Sequence, residues 1–284
     1  MMKNKICLIT GATAGIGEVT ALKLAQMDAT VVGVGRNPAK CEATANHIRK
    51  ETGNPNVEFL IADLSSQTQT RALADTFRQK YGRLDVLVNN AGAFYFNRAL
   101  SADGIEMTFA LNHLGYFLLT DLLLDLLKAS APARIINVSS SAHYSGHLDL
   151  DDLEMKNNYQ GWQAYANSKL ANVLFTYELA RRLEGVGVTA TVLHPGWVAT
   201  GFGHNNLRGL LAIARPFYWL VQKISAITPE EGAETMVYLA SSPKVEGVTG
   251  KFFIERREKR SSSESYDEGA AKKLWELSEK MVGM

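Results

Sequence analysis

The stretch KICLITGATAGIG, residues 5–17, decides the fold. KICLIT (5–10) is a nearly continuous apolar run, as expected of a strand covered on both faces. ITGATAGIG (9–17) then places Gly11, Gly15 and Gly17 in a GxxxGxG spacing, and helical spacing starts near Ile16. A strand that exits through a glycine turn into a helix can seat a dinucleotide pyrophosphate. Gly11 permits the tight exit, and the missing side chains at Gly15 and Gly17 allow close approach. The free N–H groups at the helix start attract phosphate. Thr13 and Ile16 lie in the same turn and are read with it as cofactor-binding. The plainer alternative is a glycine-rich turn without a ligand.

The next informative position is the end of the second strand, about 20 residues on, where an acid would hold the adenosine ribose hydroxyls of NAD. The chain has Gly35-Arg36-Asn37 there, with no Asp or Glu. An arginine pairs with a 2′-phosphate. NADP(H) is therefore the expected cofactor, with NAD(H) as the alternative. An exposed arginine at a helix start is the bland reading of Arg36.

Further apolar runs follow at TVVGVG (30–35), VEFLIA (57–62), LDVLVN (84–89), ARIINV (133–138) and VTATVLH (188–194). Helical spacing fills 15–27, 37–52, 67–81, 104–128 and 162–184 between them. This alternation predicts one α/β domain over 1–284, a Rossmann-type, doubly wound parallel sheet with helices on both faces. FFI (252–254) is read as a last strand. Thr228-Pro229-Glu230-Glu231 reads as a helix start running to about Ala240, and a final helix covers roughly 266–282. The tail ERREKRSSSESYDEG (255–269) is read as a solvated surface segment.

Composition narrows the partners. Of 284 residues 46% are hydrophobic and 21% charged, and the net charge is +1. That balance gives no argument for an anionic membrane surface, and nucleic acid is not expected as a partner. The two cysteines, Cys7 and Cys41, form no disulfide framework and fit a reducing, cytoplasmic setting. No signal peptide, transmembrane segment or metal site is expected from the sequence.

AYANSKLAN (164–172) puts Tyr165 and Lys169 four residues apart, on one face of a helix. Of the ten tyrosines, only Tyr165 has a lysine at that offset. In order along the chain stand TGATAGIG, NNAG (89–92), VSSSAH (138–143), YANSK (165–169) and HPGWVATG (194–201). Together they resemble the short-chain dehydrogenase/reductase family over nearly the whole chain. LNHLGYFLLT (111–120), YANSKLANVLF (165–175), EGAETMVYLASSP (231–243) and the serine-rich tail resemble its retinol dehydrogenase and protochlorophyllide reductase-like branch.

The resemblance implies an oxidoreductase that moves a hydride between nicotinamide and a carbonyl/alcohol centre. It makes Tyr165 the general acid/base, Lys169 its partner, Ser140 the group that polarises the carbonyl, and Asn112 a structural and relay residue. Among Ser139, Ser140 and Ser141, the branch pattern points to Ser140. It also implies Asp63 and Leu64 near adenine, and Asn90, Ala91 and Gly92 as the wall after strand four. Pro195, Gly196, Val198 and Thr200 would surround the carboxamide. The chemistry needs these types: a phenol near pKa ~10 must be tuned to exchange protons at neutral pH.

Aromatics in the loops beyond the strand ends predict an apolar substrate pocket of Phe94, His143, Tyr144, Trp197 and Phe202, under a lid at about 202–226. Segment 207–225 could instead serve as a dimer contact or touch a membrane surface. A homodimer or homotetramer is expected only by family analogy. Two other readings stay open: NADP(H) binding without turnover, as a sensor or scaffold, and double-bond reduction or epimerisation on the same fold.

Overall fold

The computed structural model describes residues 2–196 and 227–284. The expected positions Trp197, Val198, Thr200, Phe202 and the segment 202–226 lie outside the described residues. The strands are β1 (Ile6–Thr10), β2 (Thr30–Gly35), β3 (Val57–Ile61), β4 (Val86–Asn89), β5 (Ala133–Val138), β6 (Val188–Leu193), β7 (Lys251–Ile254) and β8 (Arg257–Lys259). They form one sheet in the order β3-β2-β1-β4-β5-β6-β7-β8, parallel throughout except for β8. β1 pairs with both β2 and β4, so the chain reverses its direction of winding between β1 and β4. The crevice beyond the strand ends at that reversal is where open α/β sheets bind ligands.

Alternation along the strands splits the core in two. Cys7 and Ile9 of β1 and Val86 and Val88 of β4 face one apolar layer, with α1 (Gly15–Gln26), α2 (Pro38–Thr52) and α6 (Pro229–Ser241). Leu8 and Leu87 face the other layer, with α3 (Gln67–Lys80), α4 (Met107–Ala129), α5 (Gly161–Arg182) and α7 (Glu268–Met281). Side chains of period two supply both layers, which is why the strands read as continuous apolar runs. Helix α4 is long and apolar enough to cross a bilayer, but 72% of its most apolar window is buried in this second layer. It packs as a core helix between the sheet, α3 and α5.

Side chains cap the starts of several helices. Asn37 and Ser66 accept N–H groups of the first turns of α2 and α3. Thr228 and Glu231 form a reciprocal capping box at α6.

Three features depart from the sequence reading. Helix α4 contains a π turn at Ala110–Leu114. An antiparallel strand, β8, follows β7 through a two-residue turn in which Glu255 and Arg256 have φ of 50° and 62°. And the tail is not a solvated segment throughout: Ser261, Ser262 and Ser265 are buried. Tyr177 Oη and Ser265 Oγ lie 2.7 and 2.6 Å from Ser261 Oγ, so the hydroxyls satisfy one another away from water.

Helix α7 closes the outer face of α4 and α5. Trp275 packs on Phe117 and Phe175 at ring separations of 4.9 and 5.7 Å, and the Arg182 guanidinium stacks on it at 4.1 Å. His113, fully buried in the π turn, lies 2.9 Å through Nε2 from Ser278 Oγ of α7. Burial pushes the His113 pKa down to about 4 from an ordinary 6.5. The unfolded chain therefore takes up this proton first on acidification. Stability present above pH 6.5 is lost as the pH falls toward 4, by about 3 kcal/mol at roughly 1.4 kcal/mol per unit. Urea midpoints measured from pH 7 to 4 are expected to fall, and less steeply in His113→Asn.

Candidate active site

The glycine turn between β1 and α1 has the geometry its spacing predicts. Gly11 and Gly15 have φ of 66° and 56°, the left-handed region that favours glycine. A Cβ on Gly17 would lie 2.3 Å from Gly11 O and 2.5 Å from Asn90 Nδ2, so no side chain fits there. Ala14 gives the start of α1 no side-chain cap. The first N–H groups of that helix are thus available to an anion. Thr13 packs against Gly35, where a Cβ would come within 2.6 Å of Thr13 Cγ2.

Asn90 serves the turn itself. Its Nδ2 donates to Thr10 O at 2.8 Å and Gly11 O at 3.3 Å, while the backbone N–H groups of Asn90 and Ala91 donate to Thr10 Oγ1. Its neighbour Asn89 is buried and spans β4 to β5, donating to Asn137 Oδ1 and Thr120 Oγ1. Arg36 stands just past β2, half-exposed, with Nη1 3.7 Å from Asp63 Oδ2. Asp63 also accepts from the Ser65 N–H and hydroxyl, and Leu64 is buried beside it. Gly196, at φ 92°, follows Pro195 past the end of β6.

The three serines after β5 part company by environment. Ser139 is buried and its hydroxyl donates to Lys169 O at 2.7 Å, tying the strand end to α5. Ser141 is exposed. Ser140 lies between them, caps the short 3₁₀ turn Ser141–Ser145 by accepting the Ala142 N–H, and hydrogen-bonds the Tyr165 phenol.

Tyr165 and Lys169 sit one turn apart on buried α5. Lys169 Nζ is 5.7 Å from the centroid of the Tyr165 ring and donates to Val138 O at 3.2 Å. Burial pushes the Tyr165 pKa up to about 12, and the Ser140 hydrogen bond opposes it. Burial also pulls Lys169 down to about 7. Desolvation is the dominant influence on both groups here. A Cβ on Gly92 would meet Lys169 Nζ at 3.4 Å and Asn112 Oδ1 at 3.2 Å, so the glycine keeps the space beside the lysine open.

Asn112 lies in the π turn, a distortion that recurs at functional sites. Its side chain clamps Ala93, accepting the N–H at 2.9 Å and donating to the carbonyl at 2.9 Å, and it also donates to Ser168 Oγ. Its own carbonyl accepts from Asn172 Nδ2 at 2.9 Å. Asn172 donates to Val138 O as well, the same acceptor that Lys169 uses. Asn172 was not singled out by the sequence reading, and only its i+3 offset from Lys169 could have flagged it.

The expected substrate wall divides. Phe94 packs edge-on to Tyr165 at 5.8 Å. Trp162, missed in the sequence, stands 6.1 Å from Tyr165, and Phe96 lies 4.7 Å from Phe94; both are about half-exposed. The i, i+3 spacing of Trp162 and Tyr165 on α5 was the available signal.

His143 is a correction, while Tyr144 is half-exposed. His143 is fully buried, and both ring nitrogens are engaged with backbone groups of the chain. Tyr144 turns toward the tail, donating to Arg260 O at 2.7 Å. Both rings pack on Phe252 of β7.

A separate cavity of about 920 Å³ opens at the opposite end of the sheet, among Lys5, Asp85, Arg134 and Arg181. Those charges are already satisfied: Lys5 by Asp85, Arg134 by Leu239 O and Ser242 O, Arg181 by Glu178. The chemistry gathers at the other end.

A doubly wound sheet with a glycine turn at its reversal point, and a serine bonded to a tyrosine one turn from a buried lysine, defines a dinucleotide-dependent class of oxidoreductase folds. The short chain dehydrogenase family model matches residues 5–209. Human retinol dehydrogenase 14 is 45% identical over 100% of this chain and 88% of its own. Among solved structures, an uncharacterized protein from Mycobacterium Paratuberculosis superposes with a TM-score of 0.79 at 33% identity, covering 100% and 95% of the two chains. The Pseudomonas aeruginosa RhlG/NADP active-site complex gives a TM-score of 0.69 at 29% identity, covering 89% and 94%. The chain belongs to the short-chain dehydrogenase family, as an oxidoreductase of its retinol dehydrogenase-like branch.

Proposed function

We propose that this protein is an NADP(H)-dependent oxidoreductase. It transfers a hydride between the nicotinamide and a carbonyl/alcohol group of an apolar small molecule, with Tyr165 as general acid/base. The observation that carries this reading is the convergence of Ser140, Tyr165 and Lys169 beside the space that Gly92 leaves open. Bound at the glycine turn, the nicotinamide cofactor supplies or accepts the hydride. The turn fits its pyrophosphate through Gly11, Gly15 and the uncapped N–H groups of α1.

The chain's own residues handle the proton. In reduction, Tyr165 gives its phenolic proton to the oxygen that becomes the alcohol. A phenol held near pKa 12 is protonated across the physiological range, as a donor must be. Ser140 holds the same oxygen by hydrogen bond and polarises it. Lys169, in its ammonium form, stabilises the phenolate left behind. Asn112 keeps the lysine's surroundings in register by clamping Ala93. The aromatic edge of Phe94, Phe96 and Trp162 beside Tyr165 supports an apolar substrate. The retinol dehydrogenases among the relatives take a lipophilic alcohol by name, in keeping with that edge.

Arg36 supports NADP(H) over NAD(H). It stands at the end of β2 with no acid beside it in sequence, and among the described residues its ion pair is the loose one to Asp63 at 3.7 Å. The P. aeruginosa relative was crystallised with NADP. Hydride transfer from NADPH and from NADH to a panel of apolar aldehydes and ketones tests the reading. Arg36→Asp is expected to lose about 1.5–3 kcal/mol of NADPH affinity, roughly 10- to 100-fold, with NADH gaining relative to it. An unchanged NADPH-to-NADH ratio in that variant would remove the argument for a 2′-phosphate contact.

A further inference from the structure

The serine-rich tail is the motif the catalytic reading leaves without a purpose. We infer that it acts as a clamp, through His143, that holds Ser140 in place against Tyr165; this rests on the catalytic reading above.

The Ser262 backbone N–H donates to His143 Nε2 at 3.2 Å. An amide nitrogen can only donate, so Nε2 is the acceptor and the ring proton sits on Nδ1. Nδ1–H then donates to Ser140 O, 2.6 Å away. The ring is fully buried between Tyr144 and Phe252, at 4.0 and 4.8 Å, and it has no room to turn over. His143 thus links two backbone groups: the Ser140 carbonyl and the amide of the tail.

The tail end of this link is anchored to the helix that carries Tyr165 and Lys169. Tyr177 of α5 holds Ser261 by a hydroxyl contact of 2.7 Å, and Ser261 holds Ser265 at 2.6 Å. Tyr144 donates to Arg260 O. The path runs α5, Tyr177, Ser261 and Ser262, His143, Ser140. Ser140 comes from the β5 side and Tyr165 from α5, so their hydrogen bond depends on a fixed distance between two elements. Ser139 donating to Lys169 O provides one tie between them. The His143 clamp acts on the Ser140 carbonyl itself, from the other side, while Gln163 Nε2 donating to Ser145 O and the His147 N–H donating to Asn167 Oδ1 tie the loop farther on. His143 is a positioning residue, since it reaches the reacting atoms only through Ser140.

Ser262→Pro isolates the clamp. Ser262 already has φ −59°, inside the range proline imposes, and its hydroxyl is buried without a partner. The substitution deletes the N–H donor and puts the proline Cδ where that hydrogen was, which pushes the His143 ring off the tail; Ser262→Ala keeps the donor and is the control.

Hydrogen exchange on the full chain comes first, because it does not depend on the catalytic reading. Ser262→Pro is expected to speed exchange in residues 139–146 by at least tenfold, and Ser262→Ala to leave it unchanged. Unchanged exchange in 139–146 in the proline variant overturns the clamp. His143→Phe, which keeps the ring packing and removes both hydrogen bonds, must give the same loss of protection if the proline variant is unstable.

Turnover comes second. Ser262→Pro is expected to lower kcat about fivefold or more with KM for NADPH within twofold. In a Ser140→Ala background it is expected to add less than twofold. Equal losses in both backgrounds would make the tail a general stabiliser and overturn the positioning role. Full turnover in Ser140→Ala alone would instead sink the catalytic reading of Ser140, leaving the exchange result to judge the clamp.

Discussion

Tyr165→Phe is expected to lower kcat by about 10²–10⁴-fold while leaving cofactor affinity and thermal stability close to those of the parent chain. The substitution removes one oxygen. The phenyl ring keeps its edge-on contact with Phe94 and its packing beside Trp162. What it removes is the hydroxyl that Ser140 meets and the acid that protonates the nascent alkoxide. The pH dependence of the parent enzyme follows from the phenol near 12. Reduction needs the protonated form and stays level through neutral pH. Oxidation needs the phenolate, so its rate climbs with pH toward the alkaline side. Steady-state kinetics in both directions, with NADPH binding followed by its fluorescence, separate these effects. Turnover in Tyr165→Phe within threefold of the parent would assign the proton to another group and end the Tyr165 reading.

Trp275→Ala is expected to cost about 3–5 kcal/mol, a large part of the roughly 5–15 kcal/mol that holds a typical domain together. Trp275 is only 7% exposed and fills the joint where α7 crosses α4 and α5. It touches Phe117 and Phe175, carries the Arg182 guanidinium on its face, and donates Nε1–H to Glu279. Truncation leaves a cavity lined by aromatic rings that cannot collapse onto rigid helices. The same helix α5 carries Tyr165 and Lys169, so activity in this variant should decline with folding rather than at constant fold. Urea unfolding followed by circular dichroism measures the loss. Glu279→Ala, which removes only the exposed-side hydrogen bond, should cost about 1 kcal/mol. A Trp275→Ala loss no larger than that would show that α7 is a peripheral addition and not part of the core.

The strands and the helices between them were legible because their signals are local. Nearly continuous apolar runs at 30–35 and 133–138 match β2 and β5 residue for residue, since a strand buried on both faces is mostly apolar. Strand β8 was not legible. Its hairpin turn uses Glu255 and Arg256 at positive φ, where Asn-Gly is the usual signature of such a turn. The tail misled for a related reason: serines read as solvent-facing, yet Ser261 and Ser265 are buried because Tyr177, 84 residues earlier, supplies the matching hydroxyl.

The candidate site divides in the same way. Tyr165 and Lys169 share a helix, and a helix sets its own i, i+4 geometry, so their pairing was readable from AYANSKLAN. The glycine turn was readable because positive φ and close backbone approach exclude other residues at Gly11 and Gly17. His143 was not readable. Whether a histidine after a strand faces the pocket or the core depends on which element covers it, and here Phe252 and the tail do. By itself, then, the sequence determined the parallel sheet, the nucleotide turn and the Tyr–Lys pair, each written into neighbouring residues. Only the tertiary structure decided what holds Ser140 in place, that Asn112 and Asn172 brace the lysine's surroundings, and that the tail reaches back to His143. Those depend on contacts between segments far apart in the chain, and no local pattern encodes the distance between them.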